Sequence, residues 1–166
     1  MRILSLTGSH DRRSFECGRP ELDDWLQRIA RQHQEKGLSK TFVATRDRAP
    51  SRICGFYALT LIELRHHHLP PAWGKRLPNR VPGVKLGRLA VARELQGKGL
   101  GQLLLIDAVR RAERIYREAG GIGLFVDALD EHAAGYYRRF GFLPSPENPL
   151  LLFLPARLIS GDPERG

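Results

Sequence analysis

The chain is poor in cysteine. It has two, Cys17 and Cys54, and no Cys-x-x-Cys pair. That count excludes a disulfide framework and a thiolate zinc knuckle, and 166 residues can bury a core without a covalent staple. Two reduced thiols are therefore expected. No apolar run approaches the roughly 20 residues that a membrane helix requires. The opening MRILSLTGSHDRRSF turns polar too early for a secretory signal. The protein is expected in the cytoplasm, off the membrane. Metal ligands are also sparse. The tract His66–His67–His68 stands beside Pro70 and Pro71 without a second ligand cluster, so it reads as an exposed loop and no metal is expected. Acidic residues are in deficit, 18 against 27 Lys and Arg, for a net charge of +9. That imbalance points to a polyanionic partner such as nucleic acid, against the ordinary alternative of an arginine-rich solvated surface.

Glycine, by contrast, is concentrated where it carries information. LQGKGLGQLLL (95–105) places Gly97, Gly99 and Gly101 before an apolar run. A P-loop would need Ser or Thr after its Gly-Lys pair, and here Gly99 follows Lys98. A dinucleotide fingerprint counted from Gly97 or Gly99 would put its third glycine at Gln102 or Leu104. Both assignments fail. A phosphate cradle of another kind, or a plain tight turn before a helix, is left.

Periodicity supplies the surrounding elements. Residues 3–6 suit a short strand. From Pro20, the residues Leu22, Trp25, Leu26, Ile29, Ala30 and His33 share one helical face, and Gly37 stops the helix. KTFVATRD (40–47) and RICGFYALTLIEL (52–64) read as a hairpin. Residues 65–83, with four prolines, read as an irregular connection containing at most one helical turn. VKLGRLAVA (84–92) is a strand, followed by the glycine loop and a helix over 99–118. That helix buries Leu104, Leu105, Ala108, Val109, Ala112, Ile115 and Tyr116, and wets Asp107, Arg110, Arg111, Arg114 and Arg117. IGLFVDAL (122–129) is a buried strand. Asp130 is placed to cap a helix EHAAGYYRRF that Gly141 ends, and LLLFLPA (150–156) is the last strand. Hairpins first and strand-helix-strand crossovers later require a mixed sheet.

Strand, then Gln96-Gly97-Lys98-Gly99-Leu100-Gly101, then helix resembles the Gln/Arg-x-x-Gly-x-Gly/Ala signature of the GNAT acetyltransferase superfamily. YYRRFGF (136–142) resembles that superfamily's Tyr-x-x-x-Gly-Phe segment. A narrower resemblance runs through residues 15–44, GFYAL (55–59), 85–112, 126–142 and LFLP (152–155). It is to the acetyltransferase toxins of bacterial toxin–antitoxin pairs. Ala92 departs from it, standing where an acidic residue is common, as does Tyr136 where Phe is frequent.

The resemblance implies an α/β (α+β) GNAT fold over residues 1–160. Its mixed twisted sheet would have about six to seven strands, flanked by about four helices. The tail 161–166 reads from its own residues as disordered. It implies an acetyl-CoA-dependent enzyme that caps the α-amine of aminoacyl-tRNA and blocks translation. It also implies a homodimer and a cognate antitoxin of the ribbon-helix-helix type. The pyrophosphate of acetyl-CoA would sit on Gly97, Lys98, Gly99, Leu100, Gly101 and Gln102, with Gln96 positioning the loop. Leu89, Ala90 and Val91 would lie along the pantetheine, and an N–H near Val91 would hold the oxyanion. Tyr137 would be the general acid to the thiolate, and no metal is implied.

No general base is evident, because Asp130 and His132 read equally well as cap and first-turn residues. A free α-amine, with a pKa of roughly 7.7–8.0, needs less help than a lysine amine. Arg28, Arg31, Lys36, Lys75, Arg76, Lys85, Arg88 and Arg93 are candidates for tRNA phosphate contacts. The same residues also admit an acetyltransferase of a small amine or a protein N-terminus, or a module that only binds CoA or RNA.

Overall fold

A computed structural model describes residues 1–160. Its elements follow the chain as β1 (Arg2–Ser5), α1 (Pro20–Arg28), α2 (Ala30–Glu35), β2 (Lys40–Thr45), β3 (Gly55–Arg65), α3 (Pro71–Gly74), β4 (Arg80–Val91), α4 (Leu100–Ala119), β5 (Gly123–Asp127), α5 (Glu131–Arg139), β6 (Leu143–Pro144), β7 (Leu151–Pro155) and α6 (Ala156–Ser160). Two 3-10 turns, His66–His68 and Arg93–Leu95, flank β4 in sequence. The seven strands form one mixed sheet in the order β1-β2-β3-β4-β5-β7-β6. β1, β2 and β3 pair antiparallel, β4 pairs β5 in parallel over Val84–Leu86, and β7 runs antiparallel to both β5 and β6. Residues Leu89–Val91 of β4 lie past the end of that parallel pairing.

Packing divides the chain into two compact units. One comprises Met1–Thr60 with Gly87–Ala108, the other Leu61–Leu86 with the described residues from Val109 to Ser160. In the first, Leu22, Trp25 and Leu26 of α1 are buried at i, i+3 and i+4, the spacing of a single helical stripe. Trp25 stacks on Phe56 of β3 with ring centroids 6.1 Å apart, and Phe15 meets Phe56 edge-on at 5.4 Å. Each such side chain is worth roughly 1.5–3 kcal/mol of transfer free energy. Both cysteines are buried and free. In the second unit, Phe125 of β5 stacks on Phe153 of β7 at 4.8 Å, with Leu69 and Val81 closing the cluster.

Several boundaries differ from the sequence reading. The single helix expected from Pro20 to Gly37 breaks at Ile29, where ψ remains helical but φ swings to −114°. The bonds Ile29 N–H to Trp25 O and His33 N–H to Ile29 O survive, so the chain bends without losing its ladder there. β4 starts at Arg80, inside the stretch read as irregular. Pro82 is tolerated near its start because proline's carbonyl still accepts, here from the Ile122 N–H at 3.0 Å. Leu143–Pro144, after Gly141, form β6, and α6 follows β7 directly; among the described residues the mixed sheet is accompanied by six helices, the short α3 and α6 included. Asp107 is not on a wet face. It is half-buried and accepts from the Tyr57 hydroxyl at 2.5 Å. The tail 161–166 lies outside the described residues.

Candidate functional site

The glycine loop follows the 3-10 turn at the end of β4. Gly97 has φ 75° and Gly99 φ 87°, the left-handed region that costs other residues about 1–2 kcal/mol. A Cβ added at either would meet nothing within 4 Å. The glycines are thus demanded by backbone conformation, and the space beside them is open to a ligand. Gln96 anchors the start of the loop to the end of β4 and to the segment before α1. Its Nε2 donates to Val91 O at 2.9 Å and to Cys17 O at 2.7 Å. Lys98 Nζ donates to Glu94 O at 3.2 Å, which keeps the ammonium on its own side of the turn.

From this loop starts α4, the longest helix at 20 residues. Its first ladder bond runs from the Leu103 N–H to Gly99 O, so the N–H groups of Leu100, Gly101 and Gln102 precede the ladder. Three such donors at the positive end of a helix dipole are suited to an anion. Leu104 and Leu105 are sealed beneath, and Leu104 packs close to Gly55 of β3. The Asp107–Tyr57 bond ties the same helix to β3 one turn further on. Sequence reasoning missed this pair because its partners are 50 residues apart and no local pattern links them.

Of the expected pantetheine residues, Leu89 and Val91 are half-buried and Ala90 is buried. Val91 O is already occupied by Gln96. The strand end is held by the Ala92 N–H to Cys54 O bond at 2.8 Å and by the Arg93 N–H to Glu16 O bond at 2.9 Å.

Tyr137 sits on α5, in the second unit. Asp130 caps that helix, its Oδ1 accepting from the Ala133 N–H at 2.8 Å. Helical neighbours diverge by about 100°, and the two tyrosines differ accordingly. Tyr137 is buried, edge-on to Phe142 at 5.6 Å and to Tyr136 at 5.5 Å. Tyr136 is half-buried against Phe140, under the Arg139 guanidinium. Burial raises the Tyr137 phenol well above its ordinary range, with Tyr136 adding to the effect, so the group stays protonated at neutral pH. Its hydroxyl makes no hydrogen bond to any described residue. His132 is exposed, and Asp130 is spent on its cap.

The eight basic candidates separate into two classes. Arg31 pairs with Glu35 at 2.7 Å, Lys85 with Asp127 at 2.5 Å and Arg93 with Glu16 at 3.2 Å. Arg88 lies over the Trp25 ring at 4.4 Å, and burial lowers its pKa. Arg28, Lys36, Lys75 and Arg76 are exposed and have no ion-pair partner among the described residues. No described helix is long and apolar enough to cross a membrane.

These features match known proteins along nearly the whole chain. The acetyltransferase (GNAT) domain family matches residues 37–144. A tRNA-acetylating toxin of Mycobacterium tuberculosis (strain ATCC 25618 / H37Rv) is 38% identical over 160 residues, covering 95% of each chain. The solved structure of AtaT complexed with acetyl-methionyl-tRNAfMet superposes with a TM-score of 0.89 at 30% identity, covering 96% of both chains. A variant AtaT toxin bound to the C-terminus of the antitoxin AtaR and acetyl-CoA superposes with a TM-score of 0.79 at 31% identity, covering 96% of this chain and 95% of that one.

Proposed function

Because the chain belongs to the GNAT acetyltransferase family, we propose that it is a translation-blocking toxin. It transfers an acetyl group from acetyl-CoA to the α-amine of aminoacyl-tRNA. The observation that carries this reading is the loop Gly97–Gly101. It has two left-handed glycines with open space beside them and leads into the unladdered N–H groups of Leu100, Gly101 and Gln102. That is a cradle for pyrophosphate without the residues that would hold a nucleotide's metal. Its likeness to relatives described as tRNA-acetylating, or solved with acetyl-methionyl-tRNA, supplies the acceptor.

In this reading the amine lone pair attacks the thioester carbonyl, and the Val91 N–H donates to the oxyanion. One such donor is worth about 2.7–4 kcal/mol of barrier where it has been measured. The carbon–sulfur bond then breaks, and the Tyr137 hydroxyl passes its proton to the departing sulfur. The surplus proton on nitrogen returns to the phenolate through solvent, which balances the reaction as amide plus free thiol. Leu89 and Ala90 lend backbone amides to the pantetheine. Arg28, Lys36, Lys75 and Arg76 are the cations offered to tRNA phosphates, and Arg31, Lys85, Arg88 and Arg93 act mainly within the chain.

The proposal extends to a ribbon-helix-helix antitoxin and a homodimer. The antitoxin-bound relative and the exposed Leu103 and Ile106 of α4 support a partner surface. The internal pairing of half the basic candidates favours one second reading, a small amine or a protein N-terminus as acceptor. Incubation with labelled acetyl-CoA, total charged tRNA and a panel of free amines separates the two. The toxin reading expects N-acetyl-aminoacyl product from charged tRNA alone, and label in a free amine only would replace it.

A further inference from the structure

The histidine tract does not stand alone. The 3-10 turn His66–His68 follows β3, and Glu147 lies between β6 and β7, about 80 residues later in the chain. The fold nevertheless brings His67 Nε2 to 3.6 Å and His68 Nδ1 to 3.9 Å from the same Glu147 Oε2. All three ligand atoms lie within 4.8 Å of one another. The two imidazole rings are 4.4 Å apart, centre to centre.

These separations are informative. They exceed the hydrogen-bond range of about 2.7–3.2 Å, so the cluster is not closed by direct bonds. Two ligands placed about 2.0–2.1 Å from one tetrahedral ion stand about 3.4 Å apart; the two imidazole–carboxylate separations lie near that value, and side-chain rotation would close the rest of a triad whose atoms are all within 4.8 Å. His68 Nδ1 is buried without a hydrogen-bond partner, an arrangement that costs free energy unless something coordinates it. His66 Nδ1 is also buried and unpartnered, but it is not one of the converging atoms. Two imidazoles and one carboxylate suit a borderline divalent ion and leave one position for water.

We propose that His67, His68 and Glu147 form a binding site for a zinc-class divalent cation, which ties the β3–β4 connection to the β6–β7 loop within the second unit. Acetyl transfer does not enter the proposal. The test uses the full-length protein, stripped with chelator and dialysed, and titrated calorimetrically with Zn²⁺ alone. Co²⁺ is the spectroscopic probe. The expected result is one ion per chain and visible absorption typical of four-coordinate Co²⁺. Glu147→Gln should weaken binding at least tenfold, as should His67→Ala and His68→Ala, whereas His66→Ala should retain it. Glu147 is exposed, so its substitution leaves the fold intact, and circular dichroism of the stripped variants checks this. Equal losses on removing any of the three histidines, with Glu147→Gln unchanged, would reduce the site to a bare histidine tract and overturn the proposal. Absence of binding to the wild-type chain would overturn it outright.

Discussion

Tyr137 is the residue on which the proposed chemistry turns, and its neighbour makes the natural control. Tyr137→Phe keeps the ring that packs on Phe142 and removes only the hydroxyl. It is expected to lower kcat by about 10²-fold or more while acetyl-CoA affinity stays unchanged. Tyr136→Phe should leave both nearly unaltered. Steady-state kinetics with calorimetric binding separate the two effects, and an unchanged kcat in Tyr137→Phe would remove the general acid. The pair YYRRFGF was legible in the sequence, but which ring is buried depends on packing that no local pattern records.

Cys17 gives a pH prediction. Burial, with Asp23 beside it, pushes its thiol up to about 11. The folded chain therefore holds that proton more tightly than the unfolded chain, whose thiol has a pKa of about 8.5. The stabilisation is fully present below the unfolded value and is lost as pH rises through the folded one. Urea midpoints should fall between about pH 8.5 and pH 11, and fall less steeply in Cys17→Ala. Equal slopes in the two proteins would contradict the assignment.

At the scale of elements, the glycine loop and the cap of α5 carry separable functions. Gly97→Val forces a β-branched residue into the left-handed region at a site with open space, so backbone strain is its main effect. Acetyl-CoA affinity should fall by about tenfold, equivalent to about 1.4 kcal/mol. Asp130→Ala instead removes the bond to the Ala133 N–H. It should cost about 1 kcal/mol of stability and lower Tm by about 2–4 °C with little change in acetyl-CoA binding. Differential scanning calorimetry and ligand titration on the two variants check the separation.

Periodic stretches such as α4, β5 and the buried face of α1 were readable because hydrophobic spacing reports the buried face directly; the break at Ile29 was not. Nor were the start of β4 and the short β6. Prolines argue against strands locally, and only pairing partners elsewhere in the chain, such as the Ile122 N–H on Pro82 O, overrule them. The Gln96 bonds belong to the same class. The residue was legible as part of a motif, but its partner Cys17 lies 79 positions away.

For the whole molecule, a net charge of +9 matters less than the positions left unpaired. Composition made all eight cations equivalent, and folding spends half of them on Glu35, Asp127, Glu16 and Trp25. If Arg28 and Lys36 touch tRNA, the double charge reversal Arg28→Glu with Lys36→Glu raises KM for charged tRNA and leaves KM for acetyl-CoA alone. It also flattens the salt dependence, by a log–log slope of about 0.7–0.9 for each phosphate that is no longer neutralised. Reversal at Arg31 should act through stability instead.

Which amine receives the acetyl group decides whether the chain acts as a toxin. Purified protein, labelled acetyl-CoA and total charged tRNA, followed by release and identification of the amino acids, address it directly. N-acetyl-aminoacyl product should form, and should depend on both charging and the Tyr137 hydroxyl. Label recovered only in free amines or protein N-termini, with charged tRNA unmodified, would contradict it.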